Sequence, residues 1–156
     1  LSSYPLDGRL KVLTNVPASD IPQANSFGFS SDVEVEISPW SPQRHLAACD
    51  KAKAAIDIKG DDFRQRHKPP AKAIDFIASG LPLAMNPDSS SARHLLSHYG
   101  LELADPRDTG RWWSEEYRTE TRNLGRALRE TLSQQRVACR LRTILGAVLY
   151  EHNGTG

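Results

Sequence analysis

No hydrophobic run in this sequence approaches the roughly 20 residues that a helix needs to cross a bilayer, which argues against a transmembrane helix. Cysteine is scarce. Cys49 and Cys139 are the whole complement, too few for a disulfide framework, and they read as two reduced, packed thiols. Charge of one sign is not in excess either. With 20 Lys+Arg against 19 Asp+Glu the formal net charge is +1, where a dedicated nucleic-acid binder shows a strong basic surplus. No signal peptide is visible, and a cytoplasmic location is the expectation. Gly and Pro, 10 each, are too few for collagen-like or disordered sequence, and there is no internal repeat. What remains is one soluble α/β-sized domain. The length of 156 residues suits a single unit able to bury a core without staples. The opening Leu1-Ser2-Ser3, with no initiator Met, leads to the expectation of a piece of something larger.

The charge that is present is unevenly spread. Residues 1–110 hold 12 Lys+Arg and 14 Asp+Glu, while residues 111–156 hold 8 Arg, 5 Glu and no Lys. An Arg-rich helical tail suits a nucleic-acid or membrane patch. A solvated helix face, with Glu interleaved among the Arg, is the plainer reading.

Strand-like and helix-like segments alternate along the chain. Leu10–Val16 reads as a strand closed by Pro17, and Pro17–Phe29 as a loop with a helix start at Ser19-Asp20. Val33–Ile37 alternates with period two, as an edge-near strand does, and Ser38–Pro42 stops it. Ser41 then caps a helix that has Pro42 at its first position and runs to about Asp50. Ala54–Ile58 is a short strand, Lys59–Pro70 a charged irregular loop, and Ala71–Ser79 a buried helix ended by Gly80. Leu81–Met85 is a strand, Asp88–Ser91 offers N-caps for a helix ending at Tyr99-Gly100, and Leu101–Leu103 is a last strand. From about Ser114 the pattern is helical. Leu124, Leu128 and Leu132 step by four, then Val137, Leu141, Ile144, Leu145 and Val148 take over, with a break near Ser133–Gln135.

Such alternation implies the α/β class: a doubly wound, Rossmann-like parallel sheet with helices on both faces and a C-terminal helical pair at 114–150, all as one domain over 1–156. Ligands of such sheets bind at the carboxyl ends of the strands. The loops of interest are therefore Asn15–Asp20, Ser38–Ser41, Lys59–Lys72 and Asn86–Ser91.

The sharpest chemical signal lies at 67–82. There a basic loop, His67-Lys68-Pro69-Pro70, feeds a helix start. Free N–H groups and the helix dipole attract anions at such a start, and Lys68 and Lys72 add two full positive charges. Asp75 lies one turn on, where a carboxylate accepts hydrogen bonds from sugar hydroxyls. The set suits a nucleoside diphosphate. The plainer alternative is a surface pair of Lys72 and Asp75 at three-residue spacing.

Lys68–Met85, followed by Tyr99–Asp108, resembles the C-terminal half of GT-B glycosyltransferases, most nearly the retaining "glycosyl transferases group 1" type. Asp75-Phe76-Ile77-Ala78-Ser79-Gly80-Leu81-Pro82 matches that family's acid, apolar helix, Gly and Pro, and Gly100–Leu103 with Pro106-Arg107-Asp108 matches its later strand and turn. The resemblance spans about residues 9–150, with 67–85 the specific part. It implies a donor-binding domain that transfers a glycosyl group from a nucleoside-diphosphate sugar to an acceptor held by a missing N-terminal domain. This half alone would be inactive. Lys72 and Lys68, with Arg66, would stabilise the departing diphosphate without a metal or other cofactor, and Asp75 would hold the donor ribose. His67 falls where the family has a first acid, and Asp61–Arg66 replaces a glycine-rich loop, so donor-sugar contacts depart from the pattern there. Trp40 would stack on the base or plug the sheet end, and Asn15 and Ser89 complete the expected substrate-binding set. The implied partners are the donor and the missing domain, with no nucleic acid and at most peripheral membrane association.

Other signals point more plainly to structure. Asp61-Asp62 and the pair His94 and His98 lack the further ligands of a metal site. Ser89–Ser91 either bind phosphate or cap a helix, capping being the simpler role, and Trp112-Trp113 anchor the final helices to the sheet. Two other functions stay open: a non-catalytic nucleotide-binding module, and a flavodoxin-like interaction domain, against which Asn15 counts by ending the first strand where a receiver needs an acid.

Overall fold

The computed structural model describes residues 9–21, 23, 33–60 and 62–153, with side chains there except at 65, 66 and 145–153. The loop-like reading at 22 and 24–29, Asp61, the Arg66 side chain and the apolar side chains at 145, 148 and 149 lie outside the described residues. The chain is mixed α/β with parallel strand pairs, and it divides into two compact units, Leu1–Lys53 and Ala54–Gly156.

In the first unit β1 (Arg9–Thr14) lies parallel to β2 (Glu34–Pro39), from Arg9 opposite Glu34 to Thr14 opposite Pro39. Period-two alternation puts Arg9, Lys11, Glu34 and Glu36 on one face. There Arg9 meets Glu34 at 2.6 Å and Lys11 meets Glu36 at 3.0 Å. The Lys11 ammonium, hydrogen-bonded to Glu36, holds that carboxyl below its usual range. Leu10, Val12, Val35 and Ile37 occupy the opposite face. A face this charged cannot be covered by an apolar helix, so this pair is built to be open on one side. A single 3₁₀ turn, Ala18–Asp20, follows β1 where a helix start is expected. After β2 comes α1 (Pro42–Lys51): Ser41 Oγ accepts the Arg44 N–H at 3.2 Å and Pro42 takes the first helical position, as the sequence indicates.

The second unit holds β3 (Ala55–Ile56) and β4 (Leu83–Ala84), parallel, with Ala55 opposite Leu83. Ladder bonds run from Ala55 N–H to Pro82 O and from Asp57 N–H to Ala84 O, both 3.0 Å. The expected strand at Leu101–Leu103 makes only one parallel bridge, Ala104 with Ala84, and Met85 N–H donates to Ala104 O at 2.9 Å. Among the described residues the strands thus form two separate parallel pairs, where one doubly wound sheet is the expectation. Leu81 to Met85 is buried throughout. That continuous apolar run belongs to a strand covered on both faces.

Helices α2 (Phe63–Arg66), α3 (Ala71–Ala78), α4 (Ser90–Tyr99), α5 (Thr109–Trp112), α6 (Glu115–Thr131) and α7 (Gln134–Asn153) complete the unit. The expected loop at Lys59–Pro70 thus contains the short α2, and α5 is an addition to the sequence-based elements. Gly80, at φ +80°, ends α3. Its N–H donates to Ile77 O and the Leu81 N–H to Phe76 O, the double closure that needs a left-handed residue. α6 lies across α3 at Gly125, where an added Cβ would stand 2.1 Å from Ile77 O. Arg129 donates to Ala78 O at the end of α3. Two aromatic side chains fix the strands to this helical layer. Trp112 Nε1 donates to Pro82 O at 3.1 Å, the anchoring role expected of it. The Tyr117 hydroxyl donates to Leu83 O and accepts the Ala104 N–H at 3.2 Å.

Candidate functional site

Parallel strands send their carboxyl ends to one side, and the helices that follow begin there. In the second unit that side carries a bonded chain of polar residues. Lys59 Nζ meets Asp57 Oδ2 at 2.6 Å, with the two side chains only 8% and 14% exposed. The Lys59 N–H donates to Asn86 Oδ1 at 2.8 Å, and Asn86 Nδ2 donates to Asp88 Oδ1 at 2.9 Å. The segment after β3 is thereby tied to the segment after β4. A buried ion pair is held against a large desolvation cost, so removing either partner strands the other. Beyond the third extended segment, Arg107 grips Asp105 through Nη2 at 2.7 Å and Nε at 3.0 Å. Those guanidinium bonds lower the Asp105 carboxyl to about 2.

Two helix starts meet beside this chain. Ser90 Oγ, at the first position of α4, donates to Lys68 O at 3.5 Å in the turn before α3. α4 is closed at its start: buried Ser89 accepts the Ala92 N–H at 3.1 Å, so this expected substrate-binding residue serves as the cap. α3 is not. Pro70 is its N-cap residue, with no side-chain hydrogen bond to the first N–H groups. Lys68 and Lys72, both exposed, flank that open start, and no ion pair reaches either one among the described residues. Asp75 is exposed one turn further and likewise unpaired, so the simple Lys72–Asp75 surface pair does not form. Local positive potential from two ammonium groups and free N–H donors therefore faces solvent at one place.

The remaining expected residues are placed as follows. His67 is exposed, but Nδ1 donates to Phe63 O at 2.8 Å and its ring lies 4.2 Å from the Phe63 ring. It closes its own turn rather than reaching Asp75. Arg66 is the last residue of α2. Asn15 and Trp40 belong to the first unit, where they follow the ends of β1 and β2 side by side. The Trp40 N–H donates to Thr14 O at 2.7 Å, and both side chains are exposed. Trp40 at 48% exposure is no plug for the sheet end.

Asp57, Lys59 and Asn86 are absent from the residues that sequence reasoning selects. An acid two positions before a Lys, directly after a short apolar strand, is the signal that finds them. A hollow of about 110 Å³ lined by Arg111, Ser114, Glu116, Tyr117 and Glu120 shares no residue with this site. Among the described residues no three His, Cys, Asp or Glu side chains gather as metal ligands.

Compared with known proteins, the chain matches no family model, no curated protein and no solved structure.

Proposed function

We propose that the chain is the Rossmann-like donor-binding domain of a GT-B glycosyltransferase, which holds a nucleoside-diphosphate sugar for transfer to an acceptor bound by a separate N-terminal domain. The observation that carries this reading is the open start of α3, flanked by the exposed Lys68 and Lys72, which no ion pair reaches among the described residues. A diphosphate fits such a place: backbone N–H groups and two ammonium groups neutralise its oxygens. In the reaction the bond from the sugar's anomeric carbon to the diphosphate breaks and a bond to the acceptor oxygen forms. The acceptor proton leaves, and negative charge builds on the diphosphate. Lys68 and Lys72 are set to stabilise that charge. Asp75, exposed one turn along, accepts from the ribose hydroxyls. The Asp57–Lys59–Asn86 chain has a positioning role, tying together the two loops that flank the phosphate place.

Calorimetric titration with UDP-, GDP- and ADP-sugars tests this. Saturable binding of one of them, weakened at least about tenfold in Lys72→Ala and in Asp75→Ala, is the expected result. No binding by any nucleotide overturns it. The second reading, a nucleotide-binding module without transfer, is favoured by His67, whose Nδ1 is turned onto Phe63 O. Sugar release measured with the acceptor-binding domain added separates the two.

A further inference from the structure

From Gln134 to Ile144 every residue of α7 is exposed. Three large apolar side chains stand among them: Val137 at 43%, Leu141 at 55% and Ile144 at 51% exposure. With about 100° per residue they fall within about 60° of one another, one stripe along the helix. The charges are just as one-sided in kind. Arg136, Arg140 and Arg142 are exposed, and there is no Asp or Glu between 134 and 144. Arg140 and Arg136 lie about 40° and 80° beyond one edge of the stripe, and Arg142 about 100° beyond the other. An apolar line bordered by Arg140, with Arg136 and Arg142 on the polar side, describes a helix that lies in a lipid–water boundary. There the stripe sinks among acyl chains, and the guanidinium groups reach acidic headgroups from apolar stems.

We propose that α7 is a docking surface for a membrane carrying anionic lipid. Charge complementarity selects this occupant. A second copy of α7 would bring three Arg against three Arg, with no acid between 134 and 144 to answer them. A peripheral helix pairs an apolar stripe with a basic polar face. No described helix is long and apolar enough to span a bilayer. The contact is therefore one of lying on the surface. The inference is independent of the proposed donor site and stands or falls without it.

Vesicle co-sedimentation of the 156-residue chain tests it, with vesicles of phosphatidylcholine alone and of phosphatidylcholine mixed with phosphatidylglycerol. Binding at least about tenfold tighter to the mixed vesicles is expected. The triple change Arg136→Gln, Arg140→Gln, Arg142→Gln removes that preference, and Leu141→Ser with Ile144→Ser weakens binding to the mixed vesicles. All five positions are exposed, and far-UV circular dichroism checks that the variants keep their helices. Equal binding to both vesicle types, or binding to neither, overturns the proposal. So does a concentration-dependent dimer abolished by Leu141→Ser with Ile144→Ser, or capture of an acidic polypeptide by a chain that ignores vesicles.

Discussion

α6 and α7 follow one another, carry similar residue types and have lengths of 17 and 20 residues, yet they live in opposite environments. α6 buries Tyr117, Thr121, Gly125 and Leu128 on one line spaced by four and three residues. α7 exposes the equivalent line of Val137, Leu141 and Ile144. Periodicity alone does not separate the two. What separates them is what each line offers a neighbour. α6 has a Gly where a backbone must come close and a Tyr whose hydroxyl meets two backbone groups of the strands. Between Gln134 and Ile144 α7 has no Gly and no Tyr, and it sets Arg beside its line.

The largest test of that contrast is Leu128→Ala. Leu128 is 1% exposed in the α6 layer, so truncation leaves a cavity in addition to the lost transfer energy. A loss of about 3 kcal/mol is expected in urea unfolding. A loss below about 1 kcal/mol would mean that α6 is as loosely held as α7.

Tyr117 gives the next effect and a pH signature. Burial pushes its hydroxyl up to about 12. The folded value lies above the unfolded value of about 10. The contribution is therefore complete below pH about 10 and is lost as pH rises toward about 12, with a total on the order of 2 kcal/mol. Tyr117 should ionise late in an ultraviolet titration. Tyr117→Phe removes both the late ionisation and the extra alkaline destabilisation. It also costs about 2 kcal/mol at neutral pH, because Leu83 O and the Ala104 N–H lose their partner.

Gly125→Ala sets two effects against each other. Alanine favours a helix over glycine by about 1 kcal/mol. The added Cβ, however, meets the Ile77 carbonyl of α3 at 2.1 Å, a backbone atom that cannot swing aside. Overpacking wins, with a net loss of about 1–2 kcal/mol. A gain in stability would show that α6 can slide off α3 without loss.

Much of this was legible in the sequence, for physical reasons that differ by element. Ser41-Pro42, Ser89 and Gly80 act through local backbone chemistry, and their caps and closures stand where the sequence implies them. The buried run Leu81–Met85 and the break between α6 and α7 follow from hydrophobic pattern. Sheet extent was not legible, because strand pairing is a long-range choice. The strands expected at Ala54–Ile58 and Leu101–Leu103 shrink to two residues and to one bridge. At the candidate site, Lys68, Lys72 and Asp75 were selected from charge near a helix start. Asp57, Lys59 and Asn86 escaped because their partnership spans 27 residues between Lys59 and Asn86. His67 is expected at the site from its position before α3, and its ring turns back onto α2.

The smallest effect is the most diagnostic. Leu141→Ala and Ile144→Ala remove side chains of the same kind as Leu128, from a helix adjacent in sequence. If their exposure of 55% and 51% is the whole of their environment in solution, each change should stay within about 0.5 kcal/mol. Alanine's higher helix propensity should even offset part of the lost area at Ile144. The measurement is urea unfolding at two protein concentrations well apart. Agreement between them, with a negligible loss, leaves the line free in solution and available to a lipid surface. A loss near that of Leu128→Ala that grows with concentration would instead mean that a second copy covers α7, because only an associating face makes stability depend on concentration. The contrast between the two helices would then be one of partner rather than of packing.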